Sequence, residues 1–270
     1  MSHDWTLRVG VAMIAVACCL GTAGRAAGQC NEKATHRPIE DLFLSEIVFP
    51  QERGETQLEF RPLWQRDPEG RTSAVGLNVE YGLSNAWQIE TEWDGLVSTR
   101  DPSGATTSGV GDVSIGSKFF LKCIKGSPYH LSVGADVEFP AGTLPEAENG
   151  VARMLPAVVF GRDVATMAHL FSSVVVAVPL THRGDQSWDF VSDSGMFVRV
   201  VRGFRATAEV SVSGGPDLRR RVEFVPGCLW HWRDRVEVGA GLLIPVSRDA
   251  PHGVLTHVVY EFGGEHDARQ

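Results

Sequence analysis

"TSGVGDVSIGSKFFLKC", residues 107–123, places Gly109, Gly111 and Gly116 close together. Two structures are compatible with such a run: a phosphate loop and a β-strand. A phosphate loop needs its last glycine to open a helix, so that free N–H groups meet the anion. Here the residues after Gly111 alternate instead. Val113, Ile115, Phe119 and Leu121 are apolar, and Asp112, Ser114, Gly116 and Lys118 are polar or small, with Ser117 the exception. A period of two is a strand with one apolar and one wet face. No Gly-Lys-Ser/Thr ending is present. The stretch reads as a strand that leaves a loop at Gly109 and Gly111, with Gly116 leaving room on the wet side.

The same period recurs along the chain. Val75, Leu77, Val79 and Tyr81 alternate with polar or small residues, "GLSN" (82–85) turns the chain, and Trp87, Ile89, Thr91 and Trp93 alternate with Gln88, Glu90, Glu92 and Asp94. That is an antiparallel hairpin. Similar runs cover Tyr129–Phe139, Phe204–Val212, Val236–Ile244 and Val254–Phe262. Pro62, Pro102, Pro140, Pro179, Pro216 and Pro245 recur at spacings of 37–40 residues, with a last one of 29, and close or follow every second strand, which is a hairpin repeat. Six hairpins give about twelve strands, the even number that a closed membrane barrel uses. Short connections (82–85, 123–127, 162–166, 202–203, 233–235) alternate with longer ones (near 65–73, 99–108, 140–150, 181–187, 213–221 and 246–253). In outer-membrane barrels short turns face the periplasm and long loops face outside. Aromatics fall at both ends: Trp87, Tyr129, Phe204, Trp232, Tyr260 and Phe262 near the short turns, Trp64, Phe139 and Trp188 near the long loops. Tyr and Trp favour the depth of lipid head groups. The fold class is therefore all-β, a transmembrane antiparallel up-and-down barrel of about twelve strands. Pro156 and Pro226 fall inside strands and predict bulges. Around Asp193 the alternation cannot be phased.

Composition agrees. Of 270 residues 43% are hydrophobic and 21% charged, with a formal net charge of −8. The acidic balance excludes a nucleic-acid partner, which would need a basic stripe, and a mean hydropathy of −0.06 excludes a helical membrane bundle. Residues 1–28, with Arg8, an apolar run from Val9 to Ala23 and small residues before Gln29, read as an export signal. The division is then 1–28 signal peptide, 29–54 periplasmic N-terminal segment, 55–262 outer-membrane barrel and 263–270 C-terminal tail. Cys30, Cys123 and Cys228 remain after export to an oxidising compartment. Cys30 and the turn at Cys123 share the periplasmic side, whereas Cys228 sits in a strand facing lipid. A Cys30–Cys123 bridge, tying residues 31–54 beneath the barrel, is one outcome; two thiols too far apart to join is the other. No metal-ligand spacing, cofactor motif or Gly-x-Ser-x-Gly occurs, and His182, Asp185 and Ser187 only share a loop. The chain does not read as an enzyme.

"LSEIVFPQERGETQLEF" (44–60), "VEYGLSNAWQIETEW" (79–93) and "GVGDVSIGSKFFL" (109–121) resemble the opening hairpins of the family of outer-membrane proteins of the phenol meta-pathway. The resemblance implies an outer-membrane barrel that moves small compounds, aromatic ones among the candidates. The chain departs from it by running past Phe262 as "GGEHDARQ". The wet faces predict a lumen lined by Glu80, Glu90, Glu92, Asp94, Asp112, Lys118, Asp136, Glu138, Arg205, Glu209, Glu237 and Glu261. Such a wall disfavours anions. The expected partners are outer-membrane lipid, a small-molecule solute and, during biogenesis, the barrel assembly machinery. Passive passage or binding of that solute is the expected function. The alternative is a structural or recognition barrel, its lumen occluded, that acts through extracellular loops.

Overall fold

The computed structural model describes residue 39 and residues 41–123, 128–143, 151–165, 167–180, 187–216, 218–233 and 235–264. The signal sequence, Cys30 and the last six residues of the tail lie outside them. Thirteen strands run in chain order: β1 (Glu55–Asp67), β2 (Gly70–Ser84), β3 (Trp87–Arg100), β4 (Thr106–Val110), β5 (Val113–Cys123), β6 (Tyr129–Phe139), β7 (Arg153–Ala165), β8 (Ala168–Pro179), β9 (Asp189–Val201), β10 (Phe204–Gly214), β11 (Arg221–Arg233), β12 (Val236–Pro245) and β13 (His252–Gly263). Each pairs antiparallel with its neighbours, and β13 returns to β1 over Glu55↔Gly263 to Arg66↔His252, closing the sheet. Closure removes the unpaired edges that a bilayer does not tolerate.

The stretch that opened the reading is β4 and β5 together, two parts of one wall strand. β3 pairs with β5 over Trp87–Trp93 and with β4 over Leu96–Arg100. At the break both chains bulge: the Asp94 N–H donates to Asp112 O at 3.0 Å and the Gly111 N–H to Gly95 O at 2.8 Å. Gly95 has φ 67°, and a Cβ there would strike the Val75 carbonyl. Counted as wall, the strands number twelve.

Beyond Trp93 β3 runs on past the last residues of β6, so β1–β4 form a tab above the rim. Their connection differs from the long loop expected near 65–73. Only Pro68 and Glu69 separate β1 from β2, because the Asp67 carboxylate accepts the N–H groups of Glu69 (2.8 Å) and Gly70 (2.9 Å) and folds the chain at once.

Prolines inside strands act differently from the bulges expected at Pro156 and Pro226. β7 pairs with β8 on both sides of Pro156, and β11 with β12 on both sides of Pro226, with the register unchanged across the gap. What is lost is the pairing at the proline and the residue before it. Pro62 does the same between β1 and β13, where the Thr256 hydroxyl donates to the Pro62 carbonyl at 3.3 Å. A missing N–H opens the ladder without forcing an extra residue into it.

The exterior is apolar. Leu58, Phe60, Leu77, Ile89, Ile115, Val158, Val174, Met196, Leu242 and Val258 are all exposed. Trp87, Tyr129, Trp232, Tyr260 and Phe262 stand exposed towards the short-turn rim and Trp64, Phe139 and Trp188 towards the long-loop rim, while Phe204 is half-buried. A closed barrel with this apolar band is built for the outer membrane, where such barrels reside. No helix among the described residues is long and apolar enough to cross a membrane.

Candidate functional site

The lumen is the only interior such a wall can enclose, and a part of the chain itself occupies it. Ile39 and residues 41–54 precede β1 and fold into the barrel rather than beneath it. Ile39, Leu42, Ile47, Val48 and Phe49 are buried, and they share one cluster with Phe120 of β5, Val159 of β7, Phe171 of β8, Phe197 of β9 and Leu229 of β11. These wall residues lie towards the short-turn ends of their strands. Phe49 is central, its ring 5.9 Å from Phe120, 4.9 Å from His130 and 6.3 Å from Phe171. "EIVFP" (46–50) reads as apolar in sequence, and here it has a core to enter.

Irregular backbone inside a barrel needs partners for its N–H and C=O groups, and the wall supplies them. The N–H groups of Phe43, Leu44 and Ser45 all donate to the Glu209 carboxylate, at 2.9, 2.8 and 2.8 Å. Gln51 donates its backbone N–H to Gln88 Oε1 at 2.9 Å. Its side-chain amide donates to Gln57 at 2.6 Å and to Glu80 at 2.8 Å. The Ser132 hydroxyl donates to the Val48 carbonyl. Lys118 Nζ, buried, reaches Glu46 of the segment at 2.9 Å.

Small residues make the seat. A Cβ on Gly161 would lie 2.7 Å from Val48 Cγ1, and one on Gly195 2.8 Å from Ser45 Oγ and 3.0 Å from Leu42 Cδ1. Gly227 and Gly241 back onto the Phe43 ring in the same way. Gly116, read in sequence as leaving room in the lumen, accommodates the Asp136 carboxyl.

The residues singled out from sequence gather unequally. Glu80, Glu90, Glu92, Asp94, Asp112, Lys118, Asp136 and Glu138 share the β2–β6 side. Glu90 accepts from the Gln88 amide at 2.9 Å, Glu92 from Arg61 and Asp112 from the Gly142 N–H at 2.9 Å. Glu138 lies 3.8 Å from Arg153, which is held at 2.6 Å by Asp189. Across the barrel Glu209 holds the segment and buried Glu237 takes Arg205 at 3.2 Å. Glu261 lies on β13, on the face shared with buried Val259 and His257. Glu59, Arg61, Gln57, Gln88, Arg153 and His257 also face the lumen but were not among the residues expected to line it.

The β7–β12 side is different. Val159, Phe171, Ala177, Phe197, Val225, Leu229 and Leu243 are buried inside while their neighbours Val158, Leu170, Met196, Trp230 and Leu242 are exposed outside. β7, β8, β9 and β11 thus carry apolar side chains on both faces, while β10 and β12 keep Arg205, Thr207, Glu209 and Glu237 inward, so the lumen sets a charged side against a partly apolar one. At the long-loop mouth a cavity of about 580 Å3 lies against the apolar side, with Leu155, Val175 and Val191 beneath Arg153, Arg221 and the Arg219–Asp249 pair.

Asp193 is buried and faces inward, whereas the Ser194 hydroxyl pairs with Ser172 at 2.9 Å on the exterior. Serines on the lipid side broke the phase there. Cys30 and the Cys123 side chain, and with them the Cys30–Cys123 bridge, lie outside the described residues; Cys228 is a free thiol. His182 and Asp185 lie outside as well. No group of three or more His, Cys, Asp or Glu side chains among the described residues is arranged to hold a metal ion.

No protein-family model matches the chain, and no curated protein does. Solved structures are similar in fold. The COG4313 outer membrane channel from Pseudomonas putida F1 superposes with a TM-score of 0.61 at 10% identity, over 83% of this chain and 100% of that one. The KdgM porin gives 0.55 at 9% identity over 76% and 99%, and the NanC porin 0.53 at 13% identity over 76% and 98%. Identities this low make the likeness one of architecture, that of the porin-like outer-membrane barrel.

Proposed function

We propose that the chain is an outer-membrane barrel for passive passage or binding of small solutes, with the segment around 39–54 as a removable closure of its periplasmic half. One observation carries the reading. The segment is joined to the wall through hydrogen bonds, the Lys118–Glu46 ion pair and apolar packing, all of which water or a solute can replace, whereas the half above it holds an open cavity of about 580 Å3. A barrel needed only as scaffold has no use for a charged wall facing a partly apolar one. Small aromatic compounds fit that pair of walls, which supports the class implied by the sequence resemblance. Among the similar porins, KdgM has also been seen in complex with disordered oligogalacturonate; that ligand belongs to KdgM. On this reading the barrel contacts lipid on its outside, depends on the assembly machinery for insertion, and carries out no chemistry on its solute.

The lumen filling by the segment favours a second reading, a recognition barrel that works through its outer loops. Planar-bilayer conductance separates the two. The full chain should give small, cation-preferring currents, and a chain lacking residues 30–50 should give currents several times larger. Silence from both, with folded protein verified in the membrane, selects the recognition barrel.

A further inference from the structure

A second cavity, of about 210 Å3, lies between β1, β2, β3 and β13 and is bounded on one side by Phe43 of the N-terminal segment. Its lining is of two kinds. Phe43, Leu63, Ala74 and Leu255 are apolar, and the Phe43 ring stacks on His257 at 5.0 Å. Glu59, Glu92 and Asp94 are carboxylates, facing a single guanidinium, that of Arg61.

The carboxylates are not equally satisfied. Arg61 donates to Glu92. Glu59 is 1% exposed, and neither of its oxygens has a hydrogen-bond partner. Arg61 Nε stands off at 3.6 Å and the His257 ring nitrogen Nδ1 at 3.4 Å. A carboxylate buried this deeply without a donor is expensive unless something in the cavity supplies one.

We propose that this cavity binds a small organic ammonium ion of single-ring size. A primary ammonium brings three donors and a positive charge, which answers Glu59 and the excess of carboxylate over guanidinium. An apolar body then lies against Phe43, Leu63 and Leu255. Size agrees, since an apolar cavity of about 150 Å3 holds benzene, which leaves space here for a ring and an aminomethyl arm. A bare metal ion is a poorer match, because the carboxylates do not form a metal-holding group and one wall is apolar. Binding requires the closed barrel and the seated segment but not conduction, so a silent bilayer leaves it intact.

The test is calorimetry on the full chain folded in detergent, with benzylammonium as probe and benzyl alcohol and benzoate as neutral and anionic controls. The expected result is saturable binding of benzylammonium about tenfold or more tighter than benzyl alcohol, and none of benzoate, in keeping with a charge-assisted hydrogen bond. Glu59→Gln, which keeps the shape, should weaken benzylammonium about tenfold or more. Ala74→Leu, which fills the cavity and alters no charge, should abolish binding; it also carries the test if Glu59→Gln fails to show the heat-modifiable gel band of a folded barrel. No binding, equal binding of benzoate, or affinity unchanged in Ala74→Leu or in folded Glu59→Gln overturns the proposal.

Discussion

Glu209 holds a segment whose first bonded residue is 166 positions away in the chain. Alternation through Arg205, Thr207 and Glu209 made it legible as a wet-face residue. Its partners were not legible, because three backbone N–H groups of an irregular segment leave no side-chain signature. Glu209→Ala strips all three of their acceptor, and hydrogen bonds to a charged group are worth about 1.5–3 kcal/mol each at most. The expected outcome is a folded barrel with an unseated segment, seen as faster proteolysis within 41–54 and larger bilayer currents. Gly227→Val should give the same result by a different route, since it places bulk where the Phe43 ring sits and changes no charge. If Glu209→Ala loosens the segment and Gly227→Val does not, packing plays no part in seating it. The glycines were visible in sequence, but a small residue on an inward face marks a space without naming what fills it.

Among the elements, strands with one wet and one greasy face were read with their turns, β2–β3 included, because period two and turn residues coincide there. Where both conditions fail, the reading failed. β9 could not be phased because Ser192 and Ser194 point to lipid and Val191 and Phe197 point inward. The β1–β2 connection was read as long because the polar residues of 65–73 resemble a loop, although Asp67 folds them into a turn. Pro226 and its counterparts open the ladder for two residues at unchanged register. Restoring the donor with Pro226→Val should add about 1 kcal/mol for one net hydrogen bond. The temperature at which the folded gel band converts to the unfolded one should rise by about 2–4 °C. A fall would mean that the ring packs against β12 in a way a valine cannot.

Taken whole, the barrel was legible as a barrel, and the twelve-strand wall follows from the proline-spaced hairpins. The content of the lumen was not. A reading that assigns every apolar face to lipid cannot see that β7, β8, β9 and β11 also carry apolar side chains inward, which takes a core inside the barrel to explain. Detergent should be required to extract the protein, and unheated samples should migrate apart from boiled ones; recovery in a soluble fraction would contradict the apolar exterior. With carboxylates outnumbering cations on the β2–β6 wall, residual current should favour cations at low salt and lose that preference towards 1 M, where the Debye length falls to about 3 Å. The seat of the N-terminal segment carries a consequence for the order of events in biogenesis. Residues 41–54 are made before any strand, yet their seat is assembled from β5, β7, β8, β9, β10 and β11, and the wall closes only when β13 meets β1. What is synthesised first is therefore ordered last: on the proposed reading, the barrel can receive its own closure only after its wall is complete, and seating of the segment marks the end of construction.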